Sequence, residues 1–161
     1  MDKRTKRKKK SISPSNDKVI ATTDATYEDF FKGVRLANLG MMNCSAHLDR
    51  SAYADIEEPV QRLAAHYKLA YLGEEFFDAI AEFKLTIDGE KQLKDTAPLI
   101  IECVFEAHFH VESAASRVFA ERFVDGELRL VLWPYFRQFV TDTTARMTIN
   151  PIVIPFSTKS S

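Results

Sequence analysis

Apolar and polar residues alternate strictly in two long segments of the chain, residues 77–88 and 99–112. In both segments every odd position is apolar, whereas most even positions carry charged or polar side chains. Because strand side chains point alternately to the two faces of a sheet, this pattern predicts half-buried strands of an antiparallel sheet. Weaker alternation over residues 62–72 predicts a third strand, and an earlier strand is expected within residues 32–48.

The apolar period changes after Val111. Between Leu128 and Met147 apolar residues recur at spacings of three and four, which is typical of an amphipathic helix of about twenty residues. Pro134 lies inside this pattern, where proline removes a backbone donor. We therefore expect a kinked, continuous helix that begins near Asp125 and ends before the proline at position 151.

This order of elements predicts an α+β fold, a four-stranded antiparallel β meander with one long amphipathic helix packed on one face. A helix about 10 Å wide cannot cover four long strands that lie about 4.8 Å apart. Part of the apolar face should therefore be covered by another subunit, and we expect an oligomer.

The N-terminal residues differ sharply from the rest of the chain. Residues 1–18 hold eight basic and two acidic residues, a net charge of +6, while residues 19–161 hold fourteen basic and twenty-one acidic residues, a net charge of −7. Residues 1–25 are too polar to form a core, so we predict a disordered basic tail. Nucleic acid or an anionic membrane surface is an alternative partner for this tail, and a solvated tail is the simpler interpretation.

The domain is expected over residues 26–156, with a short C-terminal tail over 157–161. No segment approaches the ~20 apolar residues of a membrane span, and the basic N-terminus lacks an apolar signal region. We therefore expect a cytoplasmic protein. Cys44 and Cys103 are too few for a disulfide scaffold and do not have CxxC spacing, which suggests a reducing compartment.

Catalytic and metal-binding patterns are weak throughout the sequence. Nucleophile elbows, phosphate-binding loops and His-Glu-x-x-His motifs are missing. His108 and His110 share one strand face and could ligate zinc, but the sequence places no third strong ligand nearby. The chain is therefore predicted to be neither an enzyme nor a protein with a cofactor or metal.

A family resemblance comes into view in the C-terminal third. An aromatic-Pro-Tyr-x-Arg element, a Thr-x-Arg helix end and a Pro-x-Val-x-Pro segment follow one another here. Together with four preceding strands, this resembles the SecB family of protein-export chaperones over about residues 27–156. The matching residues, expected to be structural, are Trp133, Pro134, Tyr135, Arg137 and Arg146, with Pro151, Val153 and Pro155 behind them.

The resemblance implies ATP-independent binding of non-native polypeptides by a homotetramer, a dimer of dimers. Such chaperones hold clients in apolar grooves, keeping them unfolded or unaggregated for export. The alternative that the resemblance leaves open is a dedicated chaperone that stabilises the antitoxin of a toxin–antitoxin system. For client contact we predict five apolar residues, namely Phe76, Phe77, Val118, Phe119 and Phe123.

The resemblance also implies docking to the SecA translocase motor through the solvent face of the sheet. The corresponding residues here are Ile100, Glu102 and Glu106. Two positions that are acidic in the family align with Gly40 and Cys44, which carry no charge. This departure argues against SecA as a partner and fits a specialised relative at least as well.

Overall fold

The computed structural model describes residues 26–89, 97–112 and 114–155. The predicted tails, residues 1–25 and 157–161, lie outside this range. Four strands and four helices follow one another: α1 (Tyr27–Gly33), β1 (Val34–Leu48), α2 (Arg50–Ala54), β2 (Pro59–Leu72), β3 (Phe76–Gly89), β4 (Leu99–Val111), α3 (Arg117–Gly126) and α4 (Leu128–Arg146).

The four predicted strands form one antiparallel sheet, in the order β1-β4-β3-β2. Strands β2, β3 and β4 are a meander as predicted, but β1 pairs with β4 rather than β2. The sheet is therefore a Greek key, and the expectation of a simple meander is wrong for β1. The connection from β1 to β2 spans residues 49–58 and includes α2, so it can cross the end of the sheet, whereas residues 73–75 allow only a hairpin.

Alternation sets the two faces of the central strands. On β3 and β4 every odd-numbered residue from Phe77 to Ile87 and from Leu99 to Val111 is buried. The even-numbered residues point to the other face, where cross-strand ion pairs such as Lys68–Glu82 and Lys84–Glu102 form. The predicted half-buried strands are confirmed.

Edge strand β1 departs from this regular pattern. Register shifts fall between Leu36 and Asn38 and between Met41 and Asn43, so each shift adds one residue that has no direct partner on β4. A β-bulge of this kind turns the following side chains to the opposite face. The poor alternation of residues 32–48 in the sequence is a direct consequence.

The helical region is divided where the sequence suggested one helix. Helix α3 ends at Gly126 and α4 begins at Leu128, so the long helix does not reach back to Asp125. Pro134 lies inside α4, as predicted. Helix α3 packs on β2 and α4 on β3, and both cover the apolar face of the sheet.

The buried line of α4 differs slightly from the predicted one. It follows a spacing of four along Leu128, Leu132, Phe136, Val140 and Thr144, with Trp133 beside it. Phe139 and Met147 are half-buried, and Tyr135 is exposed, although all three were expected on the core side. The helix exists where predicted, and its buried line agrees with the prediction at Leu128, Leu132 and Phe136. In the later turns it lies one residue further along, at Val140 and Thr144.

Two short helices were not predicted from the sequence. Helix α1 begins with a capping box in which the Thr26 hydroxyl accepts from the Asp29 N–H and the Asp29 carboxylate accepts from the Thr26 N–H. Helix α2 begins with Asp49, whose carboxylate accepts from the Ala52 N–H over 3.0 Å. Both signals are visible in the sequence, because a polar N-cap residue, Thr26 or Asp49, stands directly before each short helix.

Candidate functional site

An aromatic cluster joins the sheet to α1 and α3 at one end of the domain. Phe77 stacks on Phe109 with ring centroids 5.0 Å apart, and Phe123 meets both rings edge-on at 5.5 and 5.1 Å. Phe30 and the half-buried Phe119 extend the cluster, with centroids 5.7 Å apart. The structure thus brings together three of the five predicted client-contact residues, with Phe77 and Phe123 fully buried.

The other two predicted client-contact residues lie elsewhere. Phe76 is on the solvent face of the sheet, because it neighbours the inward-pointing Phe77 on the same strand. Val118, in the first turn of α3, is 69% exposed. Client contact stays a prediction for all five residues. Of these five, only Val118 and parts of Phe76 and Phe119 are exposed to solvent.

The β2–β3 hairpin forms a groove beside Phe76. A register shift between Leu69 and Tyr71 turns Tyr71 to the solvent face, where it is 55% exposed and stacks on Phe76 at 5.5 Å. Tyr71 lies at an odd position in the alternation of residues 62–72, together with Leu63, Ala65, Tyr67 and Leu69, and simple alternation would therefore place it on the core face. The groove has a volume of about 600 Å³ and is lined by Tyr71, Leu72, Gly73, Glu74, Glu75 and Phe76, which we call the hairpin groove.

Backbone hydrogen bonds fix the shape of the hairpin groove. The Gly73 N–H donates to the Phe76 carbonyl over 2.8 Å, closing the turn. The chain after β4 holds the turn from outside, because the Val111 and Ala115 N–H groups donate to the carbonyls of Glu75 and Glu74. A Cβ at position 73 would lie 2.5 Å from the Phe76 ring, so glycine allows the ring to sit here.

The predicted docking residues share the solvent face of β4. Ile100, Glu102 and Glu106 are all even-numbered, and Glu102 lies between its cross-strand partners Ser45 and Lys84. The Lys84 ammonium donates to Glu102 over 2.7 Å and lowers the pKa of this carboxyl, and the Ser45 hydroxyl adds a weaker hydrogen bond. Glu106 is exposed and is flanked by Gly40 and Ile80.

Gly40 and Cys44 lie on opposite faces of the sheet. Gly40 is opposite Glu106 on the solvent face, while Cys44 is opposite Cys103 on the apolar face. Simple alternation would place positions 40 and 44 together, but the bulge at Met42 separates them. An uncharged pair divided in this way does not provide the two acidic side chains of one docking surface.

One family-motif residue, Trp133, holds α4 to the segment that follows it. Trp133 is buried, and its indole N–H donates to the Pro155 carbonyl over 3.0 Å. The buried Thr144 hydroxyl accepts from the Ile152 N–H over 3.2 Å. Tyr135 and Arg146 are exposed, so the aromatic-Pro-Tyr element combines one buried and one exposed aromatic side chain.

The histidines of β4 have local partners. His108 Nδ1 lies 2.5 Å from Asp78 Oδ1, and the Phe76 ring lies 5.1 Å from the His108 ring. Among the residues that the structure describes, no three His, Cys, Asp or Glu side chains group as metal ligands would. Within the same residues, none of the helices has the length and apolarity needed to cross a membrane.

Comparison with solved structures aligns the chain with the Mycobacterium tuberculosis SecB-like chaperone in complex with a ChAD peptide from the HigA1 antitoxin. The TM-score is 0.65 at 16% sequence identity, and the alignment covers 78% of this chain and 91% of that chain. The chain has a SecB-like fold. The predicted α+β class and the resemblance in architecture are thereby confirmed.

A protein of unknown function from Streptococcus agalactiae also aligns, with 10% identity and a TM-score of 0.45, over 76% of this chain and 97% of that chain. No family model and no curated protein matches the sequence.

Sequence reasoning missed the exposed apolar strip on β1. The inward-facing Met41, Cys44 and Ala46 lie opposite buried β4 residues, yet all three are exposed, and Met41 is 44% exposed. We call these three residues the β1 strip. Because β1 does not alternate regularly, the sequence did not show which of its residues face inward. The uncovered part of the sheet's apolar face could therefore not be located from the sequence.

Proposed function

We propose that this protein is a SecB-like chaperone that binds non-native polypeptides without ATP. The observation that carries the proposal is an exposed aromatic groove on a SecB-like fold, formed by Tyr71 and Phe76. Burial of client side chains against such surface contributes about 25 cal/mol per Å² of apolar area. Contacts of this kind are non-directional, which suits clients of many sequences.

The composition of the hairpin groove favours a particular kind of client segment. The two aromatic rings offer apolar surface, and Glu74 and Glu75 place exposed carboxylates beside them. Apolar segments flanked by basic residues match both features, because carboxylates attract Lys and Arg at short range. Such segments are exposed in unfolded chains and buried in folded ones, so the groove would select non-native polypeptides.

An assembly of subunits is part of this proposal. Contiguous exposed apolar surface often marks a protein–protein contact, and an edge strand has unpaired backbone groups that can pair with another chain. Met41 and Met42 on edge strand β1 are large apolar side chains, 44% and 58% exposed, and the SecB-like resemblance implies a homotetramer built as a dimer of dimers. Light scattering coupled to size exclusion should give four times the mass of the chain, and a monomer would refute this part of the proposal.

A second client role is favoured by two observations. The aligned Mycobacterium tuberculosis chaperone holds a peptide from an antitoxin. Gly40 and Cys44 carry no charge and lie on opposite faces, where the resemblance implies acidic SecA-docking positions. The role of a dedicated antitoxin chaperone therefore stands beside general protein export in the cytoplasm.

The range of unfolded polypeptides that the protein binds distinguishes these two roles. It also tests whether the protein is a chaperone. Fluorescently labelled, permanently unfolded polypeptides of unrelated sequence are titrated with the purified full chain, with and without ATP. A general holdase binds most of them with similar affinity and without an ATP effect, and it ignores the same proteins when folded. Binding to a single peptide class, such as the ChAD peptide of HigA1, would favour the dedicated role. No binding to any unfolded probe would refute the chaperone proposal.

A further inference from the structure

The two cysteines of the chain lie directly opposite each other on neighbouring strands. Cys44 on β1 and Cys103 on β4 are cross-strand partners on the apolar face of the sheet. Cys44 is exposed and Cys103 is buried, and both are free thiols. Fifty-eight residues separate them in sequence, so the register alone brings them together.

The hydrogen-bonding pattern between β1 and β4 places the side chains of Cys44 and Cys103 close together. The Asp49 N–H donates to the Pro98 carbonyl over 2.8 Å, and these residues continue the regular register that runs from Asn43 to Leu48. Hydrogen-bonded and non-hydrogen-bonded pairs alternate along an antiparallel ladder. Cys44 is five positions before Asp49, so Cys44 and Cys103 form a non-hydrogen-bonded pair.

Non-hydrogen-bonded partners have Cα atoms about 4.5 Å apart and the closest side chains in the ladder. A disulfide accepts Cα separations of about 4.4–6.8 Å. The pair is therefore within bonding range in the observed register. The bulge at Met42 creates this arrangement, because without it Cys44 would point to the solvent face.

We propose that Cys44 and Cys103 form a reversible cross-strand disulfide, with a small-molecule disulfide such as oxidised glutathione as the oxidant. The exposed Cys44 thiolate attacks one glutathione sulfur, forms a mixed disulfide and releases one glutathione thiolate. The Cys103 thiolate then attacks the Cys44 sulfur and releases the second glutathione. Two cysteine thiols are oxidised, one glutathione disulfide is reduced, and the two cysteine protons end on the released glutathiones.

The order of the two steps follows from the environments of the thiols. Burial raises the pKa of Cys103 to about 12, with a smaller contribution from the neighbouring Cys44. Cys103 is therefore a poor first nucleophile, and it acts as the resolving thiol because its target sulfur is its cross-strand partner. The finished bond would tie edge strand β1 to β4 at Cys44, within the β1 strip, so redox conditions would control the rigidity of this edge.

The test treats the reduced full chain with oxidised glutathione at mildly alkaline pH and follows intact mass and non-reducing peptide maps. The wild type should lose two hydrogens, link the Cys44 and Cys103 peptides, show a higher Tm, and return to the starting mass with dithiothreitol. Cys103→Ser should instead keep one glutathione on Cys44, and Cys44→Ser should stay unmodified.

Two results would overturn the proposal. The first is a wild type that keeps glutathione on Cys44 as Cys103→Ser does, which would show that Cys103 does not resolve the mixed disulfide. The second is accumulation of chains linked through Cys44 alone, which would show that an intermolecular bond forms first. Either result leaves the chaperone proposal unaffected, because that proposal rests on the hairpin groove.

Discussion

The indole N–H of Trp133 donates to the backbone carbonyl of Pro155 over 3.0 Å, and this bond ties α4 to the extended segment that follows it. Ile154 in that segment is fully buried, and the Ile152 N–H donates to the Thr144 hydroxyl. The aromatic-Pro-Tyr element and the Pro-x-Val-x-Pro segment are therefore two sides of one contact. Their joint appearance in the sequence has a structural cause.

Trp133→Phe should destabilise the domain by about 1–3 kcal/mol, because the buried indole loses its hydrogen bond to the Pro155 carbonyl and part of its packing. Urea unfolding followed by circular dichroism measures the change. The matched control is Tyr135→Phe, two residues along the same helix, which should stay within about 0.5 kcal/mol because Tyr135 is exposed. Equal stability of both variants and the wild type would show that the contact contributes nothing.

Alkaline pH should destabilise the protein. Burial raises the pKa of Cys103 from 9.0 to about 12 and also raises the pKa of Tyr67 above its ordinary value of 10.0. Above about pH 9 the unfolded chain loses the Cys103 proton that the folded chain keeps, so the free energy of unfolding falls as pH rises toward 12.

Urea unfolding under reducing conditions, repeated across this alkaline range, measures the effect. Cys103→Val removes one of the shifted groups and Tyr67→Phe another, so each variant should lose stability less steeply than the wild type. Identical slopes for all three proteins would mean that neither group changes its pKa on folding.

Gly73→Ala should reshape the hairpin groove without unfolding the domain. The new Cβ would lie 2.5 Å from the Phe76 ring, so the ring must move away from its stack on Tyr71. Binding of unfolded polypeptide should weaken about five- to tenfold, or about 1 kcal/mol. Gly40→Ala is the matched control, because a Cβ there meets nothing within 4 Å. Two variants that bind equally well would place the client elsewhere.

Glu102→Lys tests the solvent face as a docking surface. The change replaces the ion pair with Lys84 by two like charges and should cost less than about 1 kcal/mol of stability, since both partners are half exposed. If SecA docks here, its binding should weaken, most strongly at low salt. Glu121→Lys on α3 also breaks an exposed pair, with Arg117, and should leave binding unchanged. Equal SecA binding by both variants would exclude this face.

The sequence predicted the parts of the fold that regular periodicity controls. Residues on β3 and β4 alternate without interruption, so their faces could be predicted, and their bounds to within one residue. The spacing of apolar residues likewise located α4, and the element with Trp133 and Pro134 pointed to the SecB-like architecture.

The remaining features depend on contacts that periodicity does not encode. The bulges near Met42 and between Leu69 and Tyr71 each invert the side chains that follow, which hid both the β1 strip and the hairpin groove. Phe76 and Phe77 were predicted together as client contacts, but adjacent strand residues face opposite ways. The pairing of β1 with β4 joins strands that are far apart in the sequence, and local sequence patterns do not determine it.

The most direct test of the chaperone proposal is light scattering by a chemically denatured, aggregation-prone client diluted into buffer with this protein and without nucleotide. The account predicts that the wild type and Gly40→Ala suppress scattering in proportion to their concentration, and that Tyr71→Asp suppresses it much less while remaining folded. Tyr71 is exposed, so its replacement should spare the core. Scattering unchanged by the wild type, or suppressed equally by Tyr71→Asp, would contradict a holdase that works through the hairpin groove.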